Sequence, residues 1–217
     1  MRPLIVINFK TYESATGKKA VELAKIIDSI KSNAEMIACP QFADLKAVAD
    51  SVDTPVFSQH IDNILPGKGT GHILPESVKA AGCSGTLINH SERRLDMKTI
   101  EGCVKRAKEL GLRTICCTPN MEEAKKIAAF EPDYIAFEDP ELIGTLKSVS
   151  KLEPETVRNF AKAISKTKSI PLCGAGVADG KDVKAAIDLG TKGVILATAV
   201  AKAKNPRAVL EDLVSLI

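Results

Sequence analysis

Residues 4–9, Leu-Ile-Val-Ile-Asn-Phe, form a short and mostly apolar run, and seven similar runs follow along the chain. Amphipathic segments lie between these runs, with apolar residues at i, i+3, i+4 and i+7, the spacing of one helix face. A repeated strand and helix predicts a parallel sheet that is covered by helices. The predicted strands are residues 4–9, 36–39, 55–58, 86–89, 114–117, 134–137, 170–173 and 193–196.

The number and the size of the repeats favour a closed barrel. Eight units in 217 residues leave about 27 residues each, close to the minimum for a strand and its crossover helix. The alternative is an open doubly wound sheet, which usually carries a glycine-rich turn after its first strand. Here that turn is Asn8-Phe9-Lys10-Thr11 and contains no glycine. We therefore predict an α/β protein with one (β/α)8 barrel domain over residues 1–217.

Helix boundaries carry local signals. Gly111 and Gly190 are predicted to end helices, and Asn205 is predicted to cap a last helix over residues 206–216 that starts with proline. Residues 41–52 and 75–82 follow the helical pattern less closely and are also predicted to be helical.

Composition argues against several classes of function. A net charge of +3 without a basic block, and 4% aromatic residues, disfavour a nucleic-acid partner. No apolar stretch approaches the ~18 residues of a membrane span, so we expect a soluble, cytoplasmic protein. The six cysteines form no C-x-x-C pair and are expected to be reduced core thiols. Three histidines without clustered ligands argue against a metal site.

In a barrel of this kind, functional groups gather at the C-terminal ends of the strands. Small residues after strands seven and eight allow a ligand to approach backbone N–H groups, and the segment from residue 198 to 202 offers a helix N-terminus. These features predict a phosphate site. The polar or small residues at the strand ends are Asn8, Lys10, His90, Glu92, Glu138, Gly174, Gly176, Ala197 and Thr198.

Lys10, His90 and Glu138 each have an ordinary explanation when taken alone, as a surface charge or a hydrogen-bonded side chain. Around one opening, an ammonium, an imidazole and a carboxylate suit removal of a proton beside a carbonyl and stabilisation of the enediolate. Residues 139–150 mix proline, glycine and apolar residues, a composition typical of a lid. Two alternatives remain: a barrel that acts on a larger sugar phosphate, and a catalytically silent scaffold.

Three segments together resemble one known family. Asn8-Phe9-Lys10, His90-Ser91-Glu92-Arg93-Arg94, and Glu138 followed by Ile143-Gly144-Thr145 occur in the order found in triosephosphate isomerases. The compact length is similar to the short archaeal branch of that family. The resemblance implies interconversion of dihydroxyacetone phosphate and glyceraldehyde 3-phosphate through a cis-enediolate, without a cofactor, in glycolysis and gluconeogenesis.

The resemblance also implies roles for individual residues. Glu138 corresponds to the base, and His90 to a neutral electrophile that donates a hydrogen bond to the developing oxyanion. Lys10 supplies positive charge, Asn8 orients the substrate oxygens, and Glu92 holds the surroundings of Lys10. The implied phosphate-binding residues are Ile143, Gly144, Gly174, Gly176, Ala197 and Thr198.

The long loop over residues 59–73 is similar to the family's loop that reaches into a neighbouring subunit, where Thr70 would lie beside that subunit's active site. A homodimer or homotetramer is therefore expected. The chain departs from the family at Asn89, which replaces a glycine and is expected to crowd the imidazole of His90 or to change its direction slightly. Asp139, Leu146 and Lys147 replace small or rigid lid residues.

Overall fold

The structure is a computed structural model that describes residues 2–139 and 148–217. Within these ranges eight strands lie at the predicted places, each boundary within two residues of the prediction. They are β1 (Leu4–Asn8), β2 (Glu35–Cys39), β3 (Phe57–Ser58), β4 (Gly85–Ile88), β5 (Arg113–Thr118), β6 (Tyr134–Glu138), β7 (Ile170–Gly174) and β8 (Gly193–Leu196).

Helices cover the outside of the sheet. In the described ranges they are α1 (Lys18–Asp28), α2 (Leu45–Ala49), α3 (Pro75–Ala80), α4 (Met97–Glu109), α5 (Met121–Ala128), α6 (Val149–Leu152), α7 (Pro154–Ile164), α8 (Gly180–Asp188), α9 (Thr198–Ala201) and α10 (Pro206–Val214). The predicted helix over residues 41–52 is shorter than expected, because a 3₁₀ turn at Phe42–Asp44 precedes α2.

The sheet closes on itself. The strand order is β2-β1-β8-β7-β6-β5-β4-β3 with parallel pairing throughout, and a parallel bridge between Ala38 and Val56 joins the two outer strands. Closure leaves no open edge for another strand. The fold is the predicted (β/α)8 barrel.

Side chains that alternate along each strand divide the core into two layers. One layer packs between the strands and the helices, for example Ile5 and Ile7 with Leu23 and Ile27 of α1. The other contains strand residues alone, at least one from every strand, and therefore fills the inside of the barrel. Its members are Leu4, Val6, Ile37, Cys39, Phe57, Leu87, Ile115, Cys117, Tyr134, Ala136, Leu172 and Ile195.

Helix ends follow the sequence signals. Gly111 and Gly190 take φ of 65° and 102° directly after α4 and α8, in the left-handed region that glycine reaches without a steric penalty. Asn205 Oδ1 accepts a hydrogen bond from Ala208 N at 3.2 Å and caps α10. A cap of this type contributes about 1 kcal/mol to helix stability.

None of the helices in the described part of the chain is long and apolar enough to cross a membrane. All six cysteines are described, and each is a free, buried thiol, as predicted. Burial raises the pKa of the Cys83 and Cys103 thiols to about 12. Burial also raises the pKa of Cys39 well above its usual value.

The buried cysteines predict a slow reaction with Ellman's reagent. At pH 8 these thiols are protonated and shielded, and the thiolate is the reactive form. We expect less than one thiol to react promptly in the native protein, and six after unfolding in guanidinium, measured by absorbance. Prompt reaction of two or more thiols in the folded protein would contradict the core described above.

Candidate active site

The C-terminal ends of the strands form the mouth of the barrel. Side chains alternate along a strand, and Val6 of β1 and Ala136 of β6 point into the barrel. The next inward position of each strand, two residues further on, lies at the rim. The residues at these rim positions of β1, β6, β7 and β8 are Asn8, Glu138, Gly174 and Ala197. A carboxylate and a carboxamide therefore face the opening beside two residues with little or no side chain.

Lys10 reaches the mouth through a left-handed backbone. Its φ is 49°, a conformation that costs a non-glycine residue on the order of 1 kcal/mol. Asn8 Oδ1 accepts a hydrogen bond from Lys10 N at 2.9 Å, and Gln59 Nε2 donates to Lys10 O at 2.9 Å. Gln59 Nε2 also donates to Cys39 O at 3.0 Å. Two neighbouring side chains thus hold the backbone of Lys10 in place.

The ammonium of Lys10 has a fixed partner. Lys10 Nζ lies 2.8 Å from Glu92 Oε1, with the lysine side chain buried and the glutamate more than half exposed. An ion pair this close to water adds little stability. Its effect is to orient the positive charge at the mouth.

His90 has one defined tautomer. Its Nδ1 accepts a hydrogen bond from Glu92 N at 3.2 Å. A ring nitrogen that accepts cannot carry the proton, so the neutral imidazole is protonated at Nε2. That nitrogen lies 3.7 Å from Glu138 Oε1. His90 therefore presents an N–H donor beside the carboxylate.

Glu138 is a buried carboxylate with spare hydrogen-bonding capacity. Its Oε2 has no hydrogen-bond partner among residues 2–139 and 148–217. Leaving such an atom unpaired costs about 1–3 kcal/mol, which a ligand proton would recover. Burial, and then the negative charge of Glu138, raise the pKa of the nearby Cys117 thiol.

Gly174 makes room for Glu138. The two residues are paired between β7 and β6. A Cβ at position 174 would lie 2.8 Å from Ile195 Cγ2 and 3.1 Å from Glu138 Cγ. The absence of a side chain at position 174 therefore allows close packing of β6, β7 and β8 at the rim.

A single cavity collects these groups. The free space among its lining residues, including the open solvent at the mouth, is about 410 Å³. The lining residues are Asn8, Lys10, His90, Glu138, Ala175, Gly176, Val177, Ile195, Leu196, Ala197, Thr198 and Ala199. The polar side chains predicted from three separate strand ends thus face one opening.

One wall of this cavity is built from backbone. The first N–H groups of a helix have no acceptor within it, and α9 begins at this wall. Tyr12 Oη and Thr198 Oγ1 lie 3.1 Å apart and hold the start of α9 to the loop after β1. Gly176 takes φ 74° on the loop after β7. Exposed N–H groups and small residues at this wall suit an anion such as phosphate.

The remaining predicted residues lie elsewhere. Ile143, Gly144, Leu146 and Lys147 lie outside the described residues, as does most of the predicted lid. Thr70 is exposed on the loop over residues 59–73.

A buried group anchors the base of that loop. His60 Nε2 and Asp62 Oδ1 lie 3.0 Å apart, and Asp62 Oδ2 accepts a hydrogen bond from Ile73 N at 2.6 Å. Burial lowers the pKa of His60.

Gln59 had no predicted role, although it clamps Lys10 and Cys39. Its position directly after β3 is itself a strand end, so the rule that flagged the other residues would have flagged it too. Ala175 and Val177 also line the cavity without having been predicted to do so. Within the described ranges no group of three or more His, Cys, Asp or Glu residues is placed to hold a metal ion.

The fold and the mouth define a class: a (β/α)8-barrel enzyme whose carboxylate, neutral imidazole and ammonium suit proton transfer beside a carbonyl. Comparison with known proteins agrees. The family model described as triosephosphate isomerase matches residues 3–216. The triosephosphate isomerase of Methanocaldococcus jannaschii is 49% identical over 99% of this chain and 100% of its own length. Those of Methanosarcina acetivorans and Methanosarcina mazei are 47% and 48% identical, over 99% of each chain.

The chain belongs to the triosephosphate isomerase family. It is therefore an enzyme, an intramolecular isomerase of triose phosphates, and the resemblance seen in the sequence is confirmed. The match spans almost the whole chain, so neither a larger sugar phosphate nor a silent scaffold is favoured.

The hydrogen bond to His90 predicts a defined nuclear magnetic resonance signature. In protein labelled with ¹⁵N-histidine at pH 7.5, we expect the proton of His90 on Nε2 and an acceptor-type shift for Nδ1. The signal is assigned by its loss in His90→Gln, since the chain has three histidines. A proton on Nδ1, or an equal mixture of tautomers, would contradict the contact with Glu92 N.

Proposed function

We propose that this chain interconverts dihydroxyacetone phosphate and D-glyceraldehyde 3-phosphate, with Glu138, His90 and Lys10 acting on one substrate in the cavity. The observation that carries the proposal is the 3.7 Å separation of His90 Nε2 and Glu138 Oε1 on the wall of that cavity. A donor and a base at this distance can act on the adjacent carbonyl and C–H of one small molecule.

Glu138 acts as the base. It takes a proton from the carbon beside the carbonyl and returns it to the neighbouring carbon. The hydroxyl proton passes from one substrate oxygen to the other, so that the carbonyl moves from C2 to C1 or back. The buried carboxylate has an oxygen without a partner in the described structure, available for this proton. No proton is gained or lost overall, and no cofactor is required.

His90 and Lys10 stabilise the negative charge that develops on the carbonyl oxygen. A neutral Nε2–H donates to that oxygen in the cis-enediolate, and the ammonium of Lys10 supplies a positive charge beside it. Glu92 orients both groups, through its carboxylate and through its N–H. Asn8 Oδ1 accepts from Lys10 N, and the amide nitrogen of Asn8 donates to a substrate oxygen.

The phosphate binds at the backbone wall. Gly176, Ala197 and Thr198 line that side of the cavity. By family resemblance, Ile143 and Gly144 add N–H donors from the loop over residues 139–150, and closure of this loop excludes water from the enediolate. Gly174 contributes by keeping the rim open beside Glu138.

We further propose that residues 1–217 act as a single domain in a homodimer or homotetramer in the cytoplasm, in glycolysis and gluconeogenesis. The exposed loop over residues 59–73 supports association, because it carries Leu65 with 65% of its surface exposed. By family resemblance, Thr70 on this loop reaches a neighbouring subunit's site. No nucleic-acid or membrane partner is part of the proposal.

Shortening the base tests the chemistry. Glu138→Asp withdraws the carboxylate by one methylene, and we expect kcat to fall about 100-fold or more, because a displacement of 1 Å is costly for proton transfer. Turnover is measured with each triose phosphate. Glu155→Asp is the matched control, since Glu155 is an exposed carboxylate on α7. Unchanged turnover in Glu138→Asp would exclude Glu138 as the base.

Sedimentation velocity tests the assembly. We expect a dimer or tetramer for the parent protein. We expect Thr70→Arg to shift the population to lighter species and lower kcat by roughly 10-fold, because a bulky charge on this loop would obstruct the neighbour's site. A concentration series of the parent protein separates weak association from none. A fully active monomer would refute this part of the proposal.

A further inference from the structure

Asn89 occupies the junction between β4 and His90. It is 1% exposed and takes φ 63°, a left-handed conformation that explains why glycine also suits this position. The left-handed residue interrupts the inward and outward alternation of β4. Consequently, the side chain of Asn89 extends toward α5, and His90 faces the mouth. The expected crowding of the imidazole does not occur.

The carboxamide of Asn89 makes three hydrogen bonds. Its Nδ2 donates to Cys117 O of β5 at 2.9 Å and to Glu123 Oε1 of α5 at 2.8 Å. Its Oδ1 accepts from Leu95 N at 2.9 Å. Both amide protons are used, and the three partners lie on a strand, a helix and the far end of the loop that carries His90.

Arg94 completes the arrangement from the backbone side. Its Nη1 donates to Asn89 O at 3.3 Å, and its Nη2 donates to both carboxylate oxygens of Glu123. Asn89 O belongs to the peptide group that leads into His90. The backbone of Glu123 is held in turn, because its N–H donates a hydrogen bond to Oδ1 of Asn120, the cap residue of α5. Asn89, Arg94 and Glu123, called here the amide clamp, therefore hold both ends of the loop.

We propose that Asn89 is a positioning residue for His90, and that the amide clamp sets the direction in which the imidazole presents Nε2–H to the substrate. This inference rests on the proposed role of His90. A residue that only forms the turn would not be sufficient for this role, because the carboxamide must donate to a main-chain oxygen and to a carboxylate at the same time. A displacement of His90 Nε2 by about 1 Å would slow the reaction without preventing substrate binding.

Two substitutions at position 89 distinguish a role in orienting His90 from a role in forming the turn. Asn89→Gly keeps the left-handed backbone and removes the three hydrogen bonds of the carboxamide, while the contacts of Arg94 with the backbone oxygen of residue 89 and with Glu123 remain. Asn89→Asp also tolerates a positive φ and has the same shape, but it cannot donate and places a carboxylate against Glu123. If Asn89 only forms the turn, both variants should keep the parent kcat. With the clamp, we expect kcat to fall roughly 10-fold in the glycine variant and roughly 100-fold in the aspartate variant, with KM within about threefold.

A second change should rescue the aspartate variant. In Asn89→Asp with Glu123→Gln, the new amide can donate to the new carboxylate, and the repulsion disappears. We expect kcat to recover about fivefold or more over Asn89→Asp alone. Asn120→Asp is the matched control. It adds the same charge beside Glu123 at an exposed cap, where aspartate also accepts from Glu123 N, and it should leave kcat unchanged.

The ¹⁵N signals of His90 provide a readout that does not depend on turnover. We expect the defined Nε2–H tautomer in the parent protein and in Asn120→Asp, and mixed or shifted signals in Asn89→Asp. If that variant does not fold, as judged by its thermal transition, Asn89→Gly and Glu123→Gln carry the same comparison. Parent-like kcat and His90 signals in these variants would overturn the inference. A parent protein that fails to isomerise either triose phosphate would instead overturn the proposed function, while the signals would still test the aim of His90.

Discussion

Closure of the parallel sheet is the constraint on which the rest of this molecule depends. The bridge between Ala38 and Val56 joins β2 to the residues before β3, and all other neighbours pair in parallel. Parallel pairing directs every strand end to one rim, so residues far apart in the sequence face one opening. The alternation of side chains then decides which residues face inward, and Asn8 and Glu138 continue the inward rows of β1 and β6.

Regular strands alone do not build the mouth. At two of its side chains the backbone leaves the strand conformation. Lys10 is itself left-handed, and His90 follows the left-handed Asn89. Each of these positions is held by carboxamides, from Asn8 and Gln59 in one case and from Asn89 in the other. The irregular backbone is therefore paired with dense hydrogen bonding, which keeps functional groups at fixed angles.

Much of this architecture is visible in the sequence, because burial and alternation leave a periodic pattern. The eight strands and the polar ends of β1, β4 and β6 follow from that pattern. What the sequence does not show is the sign of a dihedral angle or a contact with a distant main-chain oxygen. Asn89 was expected to crowd or redirect His90, but its contacts with β5 and α5 were not foreseen, and neither was the contact of Gln59 with Lys10 O. Gly174 was predicted to bind the substrate, and the nearby Ile195 and Glu138 show that packing also requires glycine there, which the sequence did not reveal.

The contacts of α9 link remote parts of the chain to the proposed phosphate site. Tyr12 and Thr198 are 186 positions apart, yet their hydroxyl oxygens lie 3.1 Å from each other, and Ser14 Oγ donates to Ala201 O at 2.5 Å. Contacts of such long sequence separation form late in folding, because the loop that they close is costly in entropy. The proposed phosphate site on α9 is therefore complete only when β1 and β8 are paired. A substrate bound there, as proposed, would stabilise the closed barrel in proportion to its occupancy and would link β1 to β8 across their seam.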